Sequence, residues 1–312
     1  MKIKGSAGVS LKNISLISAA VFLLLTVLRI YQSFAITEAG TGFFSSNNFT
    51  VPVMYALAII GVAAVLPVCF VSGDLDSRDI NRKASVPAGI ASVIMAIALV
   101  FDGFSRLDSI QSLPPENAEG VKSIFGSGAG TAGVVFAFAG ALVLVVHGFF
   151  ILTGKSLPSF MKIPMLFPVL WAFTNTLSFF SITVSYVKVV QLLLSIFTAV
   201  FLMLFIFENA RISSDVGKKD ALWFFYATGI ITAGLGAASC IPAILIYLIA
   251  PEKECIYAPF SFTAIAGVLY TLTQLFYRSG SKITEESSAT EGEETKEDAV
   301  GGETNNIVTE KE

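Results

Sequence analysis

Long apolar segments recur along the sequence up to Tyr277, with almost no charged residue inside them. A helix needs roughly 20 apolar residues to cross the hydrocarbon core of a bilayer. Eight segments approach this length: Ile14–Ile36, Val51–Val71, Ser85–Gly103, Thr131–Leu152, Ile163–Val184, Val189–Phe207, Ala221–Ala250 and Tyr257–Tyr277. Charged residues make up only 14% of the chain, against about 25% in soluble domains. The sequence therefore predicts an all-α integral membrane protein with about eight transmembrane helices.

The Lys and Arg residues are distributed unevenly among the predicted loops, and this bias sets the orientation. With the N-terminus inside, the cytoplasmic segments hold 15 basic residues, whereas the outer loops hold Arg106, Lys122, Lys188 and Lys253. Both termini are thus predicted to be cytoplasmic. Because no other targeting feature is recognised, we expect a multi-pass protein of a bacterial-type plasma membrane.

The chain contains an internal duplication. Residues 51–85 align with residues 187–221 at a constant offset of 136 positions, and the loops at 77–83 and 213–219 both read S-x-D-[IV]-x-[RK]-K. The fourth and eighth helices align at an offset of 127, which pairs His147 with Gln274. The first and fifth helices align at an offset of 146, which pairs Arg29 with Asn175. Because each half has an even number of helices, the sequence predicts two parallel four-helix repeats.

The duplication divides the membrane part into residues 1–155 and residues 156–278. From Ser279 onward the chain is rich in Glu, Thr, Ser and Gly and poor in apolar residues. A segment of this composition cannot bury enough apolar surface to offset the entropy of ordering. We therefore expect residues 279–312 to form a disordered acidic cytoplasmic tail.

Ionisable side chains inside membrane helices are costly, and each is a candidate for function. Arg29 lies in the outer half of the first helix, with Gln32 beside it. Its counterpart Asn175 lies in the fifth helix near Ser178, and Asp102 is the expected counter-ion of Arg29. Two interpretations stay open. These residues line an outward-facing cavity for an anionic or polar ligand, or Arg29 pairs with Asp102 or extends to the interface while Ser and Thr residues pack the helices.

A second group of polar residues lies toward the predicted inner side. His147 in the fourth helix matches Gln274 in the eighth, and Glu208 lies at the end of the sixth. These three residues would form an inner gate or a proton relay. The alternative is that they are polar caps at the membrane interface.

Several motifs that would identify a cofactor or a reaction are missing or misplaced. Gly128–Gly133 reads G-x-G-x-x-G, but no strand precedes it, so it is not a dinucleotide-binding fingerprint. A single His excludes a bis-histidine haem site within one chain and an H-E-x-x-H metal site. The sequence thus predicts no cofactor, no metal site and no nucleic-acid-binding surface.

The sequence leaves three functional hypotheses. The leading one is a protein that binds or transports a small polar or anionic solute at the interface of the two repeats, with the lipid bilayer around it. The alternative is a non-transporting sensor or scaffold that contacts a cytoplasmic protein partner through its inner loops and acidic tail. The third is a membrane-embedded enzyme acting on lipid, for which His147 and Glu208 are the candidate pair.

Overall fold

The computed structural model describes residues 11–36, 49–65, 84–111, 128–181, 189–214, 220–250 and 261–279. Within these ranges the secondary structure is helical. The α-helices are α1 (Leu11–Tyr31), α2 (Thr50–Val65), α3 (Val86–Gln111), α4 (Gly128–Thr153), α5 (Phe167–Ser181), α6 (Val189–Ser213), α7 (Asp220–Ile249) and α8 (Phe262–Ser279). A π-helical turn, Gln32–Ile36, extends α1, and the 3₁₀ turns Ser159–Met161 and Pro164–Leu166 precede α5.

Six of these helices form a closed arrangement in which each packs against two neighbours. The order of contact is α3, α4, α5, α6, α7 and α8, and α8 packs back against α3. α1 lies outside this arrangement against α7, and α2 packs mainly on α1. The interior of the six-helix arrangement is therefore where side chains from both halves of the chain can meet.

Within the described residues, five helical segments are long and apolar enough to cross a membrane: Leu16–Ile36, Val86–Asp108, Gly130–Thr153, Leu193–Ser213 and Leu222–Ile249. Large apolar side chains are also exposed along the helices, including Leu23, Ile59, Leu142 and Phe276. Soluble monomers rarely expose apolar surface on this scale. The described helices therefore indicate a membrane-embedded, multi-pass protein, as the sequence predicts.

The three remaining helices are shorter or more polar. α2 and α5 have 16 and 15 residues, and α8 has 18 residues that include Gln274 and Arg278. The polar residues of α8 face the protein interior, where Gln274 is fully buried and Arg278 is 8% exposed. α7 runs through Pro242 without interruption for 30 residues.

The third predicted helix is longer than expected, which changes the place of one arginine. It was expected to end at Gly103, but α3 continues to Gln111, so Arg106 belongs to the helix rather than to an outer loop. The Nε of Arg106 lies 2.7 Å from the Asp102 carboxylate one turn earlier. Opposite charges four residues apart stabilise a helix, which explains why this polar end remains helical.

Some predictions fall outside the described residues. These are the end of the second predicted span (residues 66–71), the loops at 77–83 and 215–219 that carry most of the duplicated motif, and the tail from residue 280.

The segment between α4 and α5 fixes one end of the bundle. Gly154 adopts φ +66°, a left-handed conformation that ends α4 at little cost for glycine. The following 3₁₀ turns bury Met161 and Met165 against Val143 of α4 and Ala210 of α6. This packing holds α4, α5 and α6 together close to the polar residues described next.

Candidate functional site

The five residues predicted to line one ligand site are divided between two places. Arg29 and Gln32 lie in a contact between α1 and α2, whereas Asp102, Asn175 and Ser178 lie together between α3 and α5. The single outward-facing cavity envisaged from the sequence would need all five side chains to converge. The geometry instead gives each group its own set of contacts.

The contact around Arg29 connects α1 to the start of α2. Arg29 Nη1 donates a hydrogen bond to Gln32 Oε1 at 3.1 Å, and Gln32 Nε2 donates to Thr50 Oγ1 at 3.1 Å. Arg29 is 2% exposed, so its guanidinium is inside the protein rather than extended to the interface. Gln32 begins the π-helical turn, a distortion of a helix that often occurs at functional sites.

The Arg106 cluster consists of Asp102, Arg106, Trp171, Asn175 and Ser178. Arg106 donates from Nε to Asp102 at 2.7 Å, from Nη2 to Asn175 at 2.6 Å and from Nη1 to Ser178 at 3.1 Å. Trp171 Nε1 donates to the same Asp102 oxygen at 2.8 Å. The prediction that Asp102 is the counter-ion of Arg29 is therefore wrong, because Arg106 lies one turn away on the same helix and takes that position.

A glycine on α4 lies beside the Arg106 cluster. A Cβ built on Gly133 would lie 3.1 Å from Arg106 Nη1 and 3.5 Å from Thr174 Oγ1. The Arg106 side chain thus passes close over the α4 backbone on its way from α3 to α5. The cluster joins two helices that flank α4, and it leaves the charge of Arg106 paired.

A second polar cluster, the Arg278 ring, lies near the opposite ends of these helices. It is formed by seven side chains from four helices: Ser92 of α3, His147 of α4, Asn209 and Ser213 of α6, and Tyr270, Gln274 and Arg278 of α8. Six of these, all but Ser213, are at least nine-tenths buried. Burial of this many polar groups is tolerated only where they hydrogen-bond to one another.

Hydrogen bonds join these side chains in two groups, one around Arg278 and one formed by Gln274 and Ser92. Arg278 Nη2 donates to Asn209 Oδ1 and to Ser213 Oγ, both at 2.9 Å, and Asn209 Nδ2 donates to the Tyr270 hydroxyl at 2.6 Å. Ser213 Oγ lies 3.3 Å from His147 Nε2. Gln274 Nε2 donates to Ser92 Oγ at 3.3 Å, which links α8 to α3.

Two buried atoms of the ring have no hydrogen-bond partner in the described part of the chain. They are His147 Nδ1 and Gln274 Oε1, on side chains that are 3% and 0% exposed as whole residues. A buried polar atom left unsatisfied costs about 1–3 kcal/mol, so such atoms in a folded protein require an explanation. A bound polar molecule is one such explanation.

The predicted pair of His147 and Glu208 is not formed as a direct contact. Glu208 accepts two hydrogen bonds from Arg211 Nη1, at 2.7 and 3.0 Å, whereas His147 contacts Ser213. Glu208 and Asn209 are consecutive on α6 and point in different directions, so only Asn209 joins the ring. His147 and Gln274 have different hydrogen-bond partners, Ser213 and Ser92, so their pairing stays a prediction.

Sequence reasoning missed most members of the ring. It assigns Arg106 and Arg278 to loops, and it gives no role to Asn209, Ser213 or Tyr270. The available signal is the four-residue spacing of Tyr270, Gln274 and Arg278, which places them on one face of a helix.

An apolar layer lies between the two clusters. On α3, Leu99 comes between Ser92 and Asp102 in the sequence, and on α4, Leu144 comes between Gly133 and His147. Both leucines are buried in one hydrophobic cluster with Phe205 and Phe225, whose ring centroids are 4.8 Å apart. The cluster also contains six alanines: Ala96, Ala98, Ala137, Ala141, Ala172 and Ala266.

Among the described residues, no group of three or more His, Cys, Asp and Glu side chains is placed to hold a metal ion. Comparison with models of known families, with curated proteins and with solved structures finds no match to this chain.

Proposed function

We propose that the protein crosses the membrane eight times and carries a small polar or anionic solute, which binds at the Arg278 ring. The observation that carries this proposal is the pair of buried atoms that have no partner in the described part of the chain, His147 Nδ1 and Gln274 Oε1, at the end of the helices where Arg278 also lies. A solute with polar atoms would satisfy them.

The position of the ring supports a transport role over a purely structural one. Ser92 and His147 belong to the first predicted half, residues 1–155, and the other five members to the second half, residues 156–278. Transporters built from parallel repeats bind their substrates at the repeat interface. The comparison with such transporters concerns architecture alone, so the argument for solute binding rests on the side chains of the ring.

The apolar layer is the barrier that such a solute would have to pass. Leu99, Leu144 and Phe205 fill the interior between the Arg278 ring and the Arg106 cluster. Alanines at the same level allow helices to approach closely and to shift relative to one another. In the proposed cycle the ring faces the cytoplasm, and a movement of helices across this layer opens the route toward the Arg106 cluster.

The orientation follows from the positive-inside bias. With Arg106 on α3, the predicted outer loops retain only Lys122, Lys188 and Lys253, against 15 basic residues on the inner side. The proposed orientation places both termini in the cytoplasm of a bacterial-type plasma membrane. It also places the Arg278 ring at the cytoplasmic ends of α4, α6 and α8.

The first experiment is a binding screen on the purified full-length protein. Thermal unfolding in detergent would be followed with chloride, phosphate, acetate, glycolate, propionate, lactate and glutamate, because binding to the native state raises Tm. We expect at least one of these anions to raise Tm in the wild type but not in His147→Phe, which removes both ring nitrogens. Cys240→Ala, a buried substitution on α7 outside the ring, should keep the response.

Uptake of the responding anion into proteoliposomes then separates a carrier from a sensor. Uptake above that of empty liposomes, lost in His147→Phe, is the expected result. The proposal fails if no anion in the panel changes Tm, or if His147→Phe responds like the wild type. Binding without uptake would overturn the transport part and leave a solute sensor.

A further inference from the structure

The connection between α4 and α5 exposes apolar side chains at one end of the bundle. Residues 155–166 do not form an α-helix, and they contain the 3₁₀ turns Ser159–Met161 and Pro164–Leu166. Phe160 in the first turn is 75% exposed, and Ile163, just before the second turn, is 78% exposed. Because contact of such side chains with water is costly, this surface indicates a contact with lipid or with another protein.

The opposite side of this connection is packed on the bundle. Met161 and Met165 are buried in a cluster with apolar side chains of α4 and α6. Ser214 Oγ, just after α6, donates a hydrogen bond to the backbone oxygen of Lys162 at 3.4 Å. The buried methionines fix which side chains of the turns face outward, so the exposed apolar surface is a feature of the fold.

The charge carried by this connection is positive. The sequence has no Asp or Glu between Glu119 and Glu208, whereas Lys155 and Lys162 both lie in the connection. Lys155 is exposed and forms no ion pair with the described residues. Lys162 has a further contact within the chain, so Lys155 is the cation that we assign to an external partner. A partner that combines apolar groups with negative charge is complementary to this surface.

We propose that the surface formed by Lys155, Phe160 and Ile163 binds anionic phospholipids of the cytoplasmic leaflet. The two apolar side chains lie at the boundary between headgroups and acyl chains, and the ammonium group of Lys155 extends to the lipid phosphates. Anionic lipids attract Lys and Arg residues at the cytoplasmic ends of membrane helices. This surface does not include the Arg278 ring, so lipid binding stands or falls independently of the proposed function.

Fluorescence quenching by nitroxide-labelled lipids tests which lipid lies beside the connection. A fluorophore on Ser159→Cys, in the full-length chain without Cys69, Cys240 and Cys255, would be measured in mixed liposomes of phosphatidylcholine and phosphatidylglycerol. The nitroxide would be placed on the acyl chain of one lipid or of the other. We expect both lipids to quench, with an apparent affinity about fivefold higher for phosphatidylglycerol, the contribution of one lysine near an anionic headgroup.

Lys155→Gln then tests the assigned residue. Glutamine keeps a polar side chain without the charge, so the two labelled lipids should quench this variant equally. Lys253→Gln, in a predicted outer loop, is the matched control and should keep the preference for phosphatidylglycerol. The same fluorophore on Ser261→Cys, at an exposed serine before α8, should show no preference between the lipids.

Two results would overturn lipid binding at this surface. Quenching by neither lipid would show that Phe160 and Ile163 do not lie at the membrane, and would assign the surface to a protein partner. Equal quenching by the two lipids in the labelled parent chain, or a preference that survives in Lys155→Gln, would refute the contact between Lys155 and anionic headgroups.

Discussion

The partner of a partly buried carboxylate depends on distances that a sequence does not specify. Asp102 could pair with Arg29 on α1 or with Arg106 on its own helix, and the folded chain brings Arg106 to 2.7 Å. Removing one member of a partly buried pair leaves the other charge uncompensated, which is costly in an environment of low dielectric. The Asp102–Arg106 pair should therefore show a measurable energetic coupling.

A double-mutant cycle tests this coupling. We expect Asp102→Asn and Arg106→Gln each to lower the free energy of unfolding, and the double variant to lose less than the sum of the two. A coupling energy of about 1–2 kcal/mol is expected for groups in direct contact, discounted for the 15% and 19% exposure of the two side chains. Reversible unfolding in mixed micelles of SDS and a mild detergent gives the free energies.

The cycle of Asp102→Asn with Arg29→Gln serves as the control. Since Arg29 Nη1 contacts Gln32 rather than Asp102, the effects of these two substitutions should add within about 0.5 kcal/mol. A coupling as large as that of the first cycle would restore Arg29 as the counter-ion. It would contradict the Arg106 cluster as described.

The sequence identifies polar residues in apolar segments, but not their contacts. Asn175, Ser178, His147 and Gln274 stand out because each interrupts an apolar helix, and all four lie in polar clusters of the structure. Their partners depend on the rotation of each helix and on its neighbours. Arg278 is not recognised from the sequence as part of a polar cluster, because a basic residue at the cytoplasmic end of a membrane helix is also expected from the positive-inside rule.

At the scale of helices, α3 and α4 approach each other most closely beside the Arg278 ring. A Cβ on Gly148 would lie 2.9 Å from the backbone oxygen of Gly89 and 3.2 Å from Ser92 Cβ. The first of these atoms belongs to the α3 backbone and the second is bonded directly to it, so neither can move unless the helix moves. Gly133, at the other end of α4, faces only side-chain atoms of Arg106 and Thr174.

This difference predicts opposite tolerance for two glycines of the same helix. Gly148→Ala should be destabilising by about 1–3 kcal/mol, because the added methyl group forces α3 away from α4. Gly133→Ala should be close to neutral, since better helix propensity, about 1 kcal/mol, offsets a small shift of the Arg106 side chain. The same unfolding measurement applies, and equal effects of the two substitutions would contradict the close α3–α4 contact.

The existence of the helices is predicted from apolar length, whereas their ends depend on tertiary contacts. α6 begins at Val189 as expected but continues beyond Phe207 to Ser213, and its last two turns carry Asn209 and Ser213 into the ring. α3 is extended in the same way by its contacts with α5. In both cases polar residues that suggest a loop are retained in a helix because they have partners in the fold.

At the scale of the whole molecule, the helix contacts match the predicted repeat only in part. α6 packs closely on α7, whereas no comparable packing of α2 on α3 is found among the described residues. α1 packs on α2 as α5 packs on α6, and α3 packs on α4 as α7 packs on α8. Contacts between the halves follow the duplication less closely, since α3 packs on α8 whereas α7 is contacted by α1. The contacts of the described helices therefore differ between the two predicted halves, and the repeat stays a prediction.

The number of membrane crossings determines on which side of the membrane each helix end and each polar cluster lies. At 1.5 Å per residue, the 16 residues of α2 extend about 24 Å, less than the roughly 30 Å of a hydrocarbon core. The crossing of α2 fixes the side on which α3 begins, so labelling on both sides of α2 tests it. Eight crossings place Phe49 and Ser261 outside, and Ala84 and Lys155 inside.

Single cysteines at these four positions, in a chain without Cys69, Cys240 and Cys255, test the arrangement. We expect a membrane-impermeant thiol reagent to label Phe49→Cys and Ser261→Cys on intact cells, and Ala84→Cys and Lys155→Cys only after permeabilisation. All four positions are exposed at helix ends, so reactivity should not limit the comparison. Labelling of positions 49 and 84 from the same side would mean that α2 does not cross. The chain would then cross an odd number of times, and its two halves could not be parallel repeats.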